Sequence, residues 1–158
     1  MSFPPLLRRL VLLLHVLTSV GFIGGAASFL ALALAGLGGR PAYADMQLIA
    51  WWVALPAGYL SLLVGIICSA GTPWGLFRYW WVIAKLGLTV IVVVVLQLQL
   101  RTIDALAAAE ANGALATMTA GKTAMVLHAS GGIVVLIVLT LLSIIKPRGV
   151  ARFAPRAA

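Results

Sequence analysis

The sequence predicts an all-α integral membrane protein, an antiparallel four-helix bundle with both termini in the cytoplasm. Three observations point there. Four apolar stretches, roughly 10–37, 46–70, 79–100 and 123–145, each reach or exceed the ~20 residues that a helix needs to cross a bilayer. The chain is 63% hydrophobic and only 9% charged, against about 25% charged in soluble domains, so it has no polar coat for a soluble core. Its basic residues also sort to one side. Arg8, Arg9, Arg78, Lys146, Arg148, Arg152 and Arg156 flank the stretches on the side that holds both termini, while Arg40, Arg101 and Lys122 lie on the other side beside Asp45, Asp104 and Glu110, the only acids. Lys and Arg stay preferentially cytoplasmic, so seven against three places both ends inside.

The first helix is expected to begin after Pro4-Pro5 and Arg8-Arg9 and to end in the breakers Gly36, Gly38-Gly39 and Pro41. A signal peptide is the alternative for this segment, but the apolar run far exceeds a 7–15-residue h-region. Gly21 and Gly25 form a G-x-x-x-G pair that lets another helix approach closely, and Gly24 with Ser28 repeats the spacing one step round. Packing inside the bundle is the expected use, and homodimerisation through Gly21/Gly25 is the alternative.

The second helix carries Trp51-Trp52 at its outer end as an aromatic belt, an interior Pro56 that should kink it, and a stripe of small residues, Gly58, Ser61, Gly65 and Ser69. Cys68 is the single cysteine, which excludes an internal disulfide and any multi-cysteine metal site. Residues 71–75 (GTPWG) read as a tight cytoplasmic turn, and 76–81 (LFRYWW) as an interfacial anchor around Arg78. The third helix runs on to Gln97 and Gln99. The connection 101–122 is the longest, and its alanine-rich part is expected to prolong the third helix as far as Asn112-Gly113. The fourth helix carries His128 and Gly131-Gly132 and stops at Pro147. All 158 residues form a single domain with a basic tail, 146–158, expected to lie along anionic lipid headgroups at roughly 1 kcal/mol per basic residue. The net charge of +8 does not point to nucleic acid, because the basic residues cap apolar runs instead of gathering on one solvated face.

Ionisable groups are costly in lipid, and only His15, Lys85 and His128 fall within the stretches. No Asp or Glu is among them, so neither a carboxylate pair nor a nucleophile–base–acid triad can be assembled there, and the chain reads as a non-enzyme. His15 and Lys85 lie at similar depth on the inner side, roughly 9 Å in at 1.5 Å per residue. With Thr18, Ser19, Trp81 and Thr89 they would frame a pocket for a propionate or another anionic group. The plainer alternative has His15 hydrogen-bonded across helices and the Lys85 amine extended to the interface. His128 approaches from the opposite face, roughly 12 Å from His15 in height, which strains any haem shared by the two imidazoles. On the outer side Met46, Met118, Met125 and His128 offer thioether and imidazole groups of the kind that suit Cu(I).

The segments LLHVLTSVGFIGG (13–25), GTPWGLFRYWWVIAKLGLTV (71–90) and HASGG (128–132) leading to KPRG resemble a bacterial family of uncharacterised, predicted four-helix integral membrane proteins, over nearly the whole chain. That resemblance implies the bacterial plasma membrane. More remotely, a histidine early in the first helix before Gly-Gly, with a Lys-Leu pair in a later helix, is similar to the copper-resistance D domain and to HemJ-type protoporphyrinogen oxidase. The latter similarity implies haem b ligated near His15, with a lysine of matching type at Lys85. Three functions are therefore expected in turn: a non-catalytic accessory or packing partner in the membrane, a haem- or quinone-binding redox protein using His15 and Lys85 with His128 as a further ligand, and copper handling through Met46, Met118, Met125 and His128.

Overall fold

The computed structural model describes residues 3–72, 75–147 and 149–151. It is helical almost throughout. α1 spans Pro5–Leu37, α2 Tyr43–Ile49, α3 Leu55–Ala70, α4 Trp80–Ala111 and α5 Thr119–Ile145. A π turn over Ala50–Ala54 joins α2 to α3 into one continuous span, and a 3-10 turn over Leu115–Met118 leads into α5. This gives four helices long and apolar enough to cross a membrane, the make-up of a multi-pass membrane protein. Their outward faces agree: Leu13, Leu17, Leu63, Ile91, Leu127 and Ile144 are all exposed. Apolar surface on every helix suits lipid and not water.

The helices pack around a ring in which α1 touches α3 and α5, and α4 touches the same two. Two apolar clusters fill it. The tighter one gathers Phe29, Ala33, Tyr43, Met46, Ile103 and Met125 near the end where α2 begins. The second, around Phe22, Val93, Leu136 and Leu139, fills the middle. Close approach depends on glycine at two places. A Cβ on Gly25 would meet Ala54 Cα at 3.3 Å, so one member of the G-x-x-x-G pair seats the π turn within the chain. A Cβ on Gly36 would stand 2.5 Å from Tyr43 Cζ.

Several boundaries differ from the sequence expectation. α1 starts at Pro5, where proline's fixed φ and missing N–H suit a first helical position, so Arg8 and Arg9 belong to the helix. Pro56 cannot donate to the carbonyl four residues back, and the irregularity takes the form of the π turn just ahead of it. The second span begins at Tyr43, not at 46. α4 continues through the alanine-rich stretch to Ala111, and α5 begins at Thr119, so the supposed long loop 101–122 is mostly helix with Gly113 at φ 69 in the bend.

At the opposite end Phe3 and Ala151 are tied to the connection between α3 and α4. Phe3 N–H donates to Gly71 O at 3.1 Å, and Ala151 N–H donates to Arg78 O at 2.9 Å beside a bridge between Tyr79 and Val150. Pro73 and Trp74 of the expected turn, Arg148, and 152–158 of the expected lipid-bound tail lie outside the described residues.

Candidate functional site

The ring is well packed at one end and open at the other. At the open end a cleft of about 590 Å³ runs between α1 and α5, with α3 and α4 behind it. Arg8, His15, Lys85 and Lys146 line it, and with them come Ser69, Ser143 and Cys68. Each helix contributes for a local reason. Because α1 begins at Pro5, Arg8, Leu12, His15, Val16 and Ser19 recur at helical spacing on one face. Gly65 makes room for the imidazole: a Cβ there would lie 3.0 Å from His15 Cε1. The small-residue stripe of α3 is therefore a seat for His15 as well as a packing seam. On α5, Thr140, Ser143 and Lys146 follow one another at three-residue spacing. Lys146 closes the helix in the left-handed region at φ 45, with its N–H donating to Leu142 O at 3.2 Å.

The Lys85 amine stays inside the protein. Its Nζ donates to Ser143 Oγ at 2.6 Å and lies 5.9 Å from the centre of the Trp81 ring, and the Ser143 hydroxyl donates onward to Leu139 O at 2.8 Å. A serine on α5, near the helix end at Lys146, thus offers the amine an oxygen that an isolated helix lacks. His15 has a cross-helix partner in the Ser61 backbone on α3, as the plainer expectation has it, while its Nδ1 is buried and has no partner among the described residues. The Ser19 and Ser61 hydroxyls bond to each other at 2.9 Å beside it. Thr18, expected near the pocket, turns its hydroxyl back onto α1, donating to Leu14 O at 2.9 Å. Thr89 also back-bonds, to Lys85 O at 2.8 Å, and lines the deeper part of the cavity.

Every carboxylate of the chain lies at the other end. Glu110, on the outer turn of α4, accepts from the N–H groups of Ala42 at 2.8 Å, Tyr43 at 3.0 Å and Ala44 at 3.0 Å. These are orphan amides at the start of α2, for which no side chain nearby in sequence provides a cap. Asp104 accepts from Gln47 Nε2 at 2.8 Å and Trp51 Nε1 at 3.0 Å. The cleft around Lys85 thus holds cations, hydroxyls, a thiol and one imidazole, with no carboxylate side chain among the described residues that line it.

The remaining predicted residues are divided between two places. Met46 and Met125 are fully buried in the tight cluster, with Met118 packed against it. His128, three residues beyond Met125, is exposed and lines a separate cavity of about 270 Å³ with Gln99, Phe22, Phe29 and Gly132. Ala26 and Phe29 of that cavity lie 11 and 14 residues past His15 along α1, roughly 16–21 Å at 1.5 Å per residue. The two imidazoles line different cavities, with Phe22 between them. Among the described residues no three His, Cys, Asp or Glu side chains converge on a point.

Arg8, Thr140 and Ser143 were missed in the sequence reading. The signal was present on α5, where 140, 143 and 146 place two hydroxyls and an amine on one face of an otherwise apolar helix. Comparison of the chain with protein-family models, with curated proteins and with solved structures gives no match.

Proposed function

We propose that this chain is an antiparallel four-helix protein of the bacterial plasma membrane, with both termini cytoplasmic, that binds an anionic amphiphile in the cleft between α1 and α5 and has no catalytic role. One observation supports this above the rest: Arg8, His15, Lys85 and Lys146 line one cleft, while all three carboxylates lie at the opposite end. The Lys85 amine meets the Ser143 hydroxyl and no carboxylate among the described residues, a costly place for an intramembrane cation that a ligand anion relieves. The accessory role is the plainer use of the same inventory, a set of groups that hold a ligand.

The test is equilibrium binding to the protein purified in a neutral maltoside. Dodecanoate should bind saturably, dodecyltrimethylammonium should not, and Lys85→Gln should weaken dodecanoate binding at least tenfold. Equal binding of the two headgroups, or an unaltered Lys85→Gln variant, contradicts the reading.

A second reading has one observation in its favour. The unpartnered, buried Nδ1 of His15 is a competent donor to haem iron, with Lys85 placed for a propionate. No second imidazole lines the cleft, so His15 would serve alone or with the Cys68 sulfur. Protein from haem-replete cells should then show a Soret band that His15→Ala abolishes, and colourless protein removes the reading.

A further inference from the structure

The cavity that His128 lines lies between α1, α4 and α5, with Ala54 of the π turn among its walls. It reaches from the tight cluster, at Phe29 and Met125, to the middle one, at Phe22 and Leu136. Among the described residues that line it, Gln99 and His128 are the only hydrogen-bonding side chains, and there is no Lys, Arg, Asp or Glu. Its aromatic wall is fixed: Phe22 is buried, and a Cβ on Gly58 would meet its Cζ at 3.1 Å. On α5 the wall includes two successive glycines, Gly131 and Gly132. Glycine disfavours a helix interior, and a close neighbour ordinarily accounts for it. Here a Cβ at either position would meet nothing within 4 Å, so packing within the chain leaves this room unfilled. Ile91 and Leu127 line the cavity and are 57% and 69% exposed, so it opens towards lipid between α4 and α5.

We propose that this cavity is a second ligand site, independent of the cationic cleft, for a neutral flat ring bearing carbonyl oxygens, a quinone-type headgroup. The apolar wall makes an ionised headgroup costly, which sets the site apart from the cleft. An acyl chain would suit that wall but give the Gln99 carboxamide and the His128 imidazole nothing to bond. A ring carbonyl uses them both. Gln99 donates through Nε2 and His128 through a protonated ring nitrogen, and each side chain also has an acceptor for the hydroxyl of the reduced ring. Phe22 and Phe29 offer aromatic surface for offset or edge-on contact with the ring. Pockets for drug-sized ligands run to roughly 300–1,000 Å³. A cavity of about 270 Å³ therefore holds one ring system, and any apolar tail leaves between Ile91 and Leu127.

Calorimetric titration of the full chain in phosphatidylcholine nanodiscs tests this, with empty nanodiscs as the blank. The probes are 2,3-dimethyl-1,4-naphthoquinone, whose blocked ring positions spare the Cys68 thiol, and 2,3-dimethylnaphthalene, the same ring system without oxygen. The quinone should bind saturably at one per chain and at least tenfold more tightly than the hydrocarbon, because the site's hydrogen-bonding groups go unpaired against the latter. Gln99→Leu/His128→Leu should bring the two probes to equal affinity. Gly132→Leu fills the room from a position with open space at its Cβ and should lose the binding of both. Helicity by circular dichroism should be unchanged in each variant, and the double variant decides alone if Gly132→Leu does not fold. Equal affinity for the two probes in the unaltered protein reduces the cavity to apolar room and overturns the proposal. Absence of saturable quinone binding overturns it as well, as does undiminished discrimination in the double variant.

Discussion

His15 is held in place by what its neighbour lacks. A side chain at Gly65 would occupy the space of the imidazole edge, since its Cβ would come to 3.0 Å of Cε1. Gly65→Ala requires the ring to give by a few tenths of an ångström, so its thermal unfolding midpoint in detergent should lie below that of a glycine replacement made in open space. Gly87→Ala, with open space at its Cβ, should leave the midpoint unchanged or raise it. Equal losses in the two variants would contradict the placement of His15. His15 and Lys85 were legible in the sequence because an ionisable group in an apolar run is rare enough to be noticed alone. Ser143 was not, because a serine in a membrane helix ordinarily back-bonds to its own carbonyls, and only the fold brings the Lys85 amine to it.

At the level of elements, α4 does more than cross the membrane. At 32 residues it is roughly 48 Å long, well beyond a core of about 30 Å, and the excess carries Asp104 and Glu110 to the start of α2. There Glu110 satisfies three backbone N–H groups and interacts favourably with the positive end of the helix dipole. Glu110→Ala should lower stability by about 1 kcal/mol and speed amide exchange at Ala42, Tyr43 and Ala44, while amides of α3 keep their rates. Unchanged exchange at those three positions would refute the capping role. The sequence showed that this extension exists, from its alanine-rich run ending at Asn112-Gly113, but not what it does. Glu110 and Tyr43 are 67 residues apart, and a cap supplied from another helix leaves none of the local spacing by which a helix start is normally read. Pro56 is a middle case: the sequence points to a kink, and what the structure has ahead of it is a π turn over Ala50–Ala54.

Taken whole, the molecule is polarised along its length. One end is sealed by Tyr43, Met46, Ile103 and Met125 and tied by two carboxylates, and the other opens into a cationic cleft beneath the pinned Phe3 and Ala151. The number and length of the helices followed from hydropathy because lipid imposes one solution on a backbone that must satisfy its own hydrogen bonds. The cleft did not, because it depends on which faces the ring turns inward, and lipid-facing and partner-facing sides of a membrane helix are equally apolar. Orientation in the bilayer is the claim on which the proposed function depends most, since it decides which side of the membrane the cleft opens towards. Cysteine accessibility tests it most directly. In a Cys68→Ser background, Asn112→Cys and Thr72→Cys are each exposed in intact cells to a membrane-impermeant maleimide. The account predicts labelling of Asn112→Cys in intact cells and of Thr72→Cys only after permeabilisation; the reverse pattern, or labelling of both from outside, would contradict it.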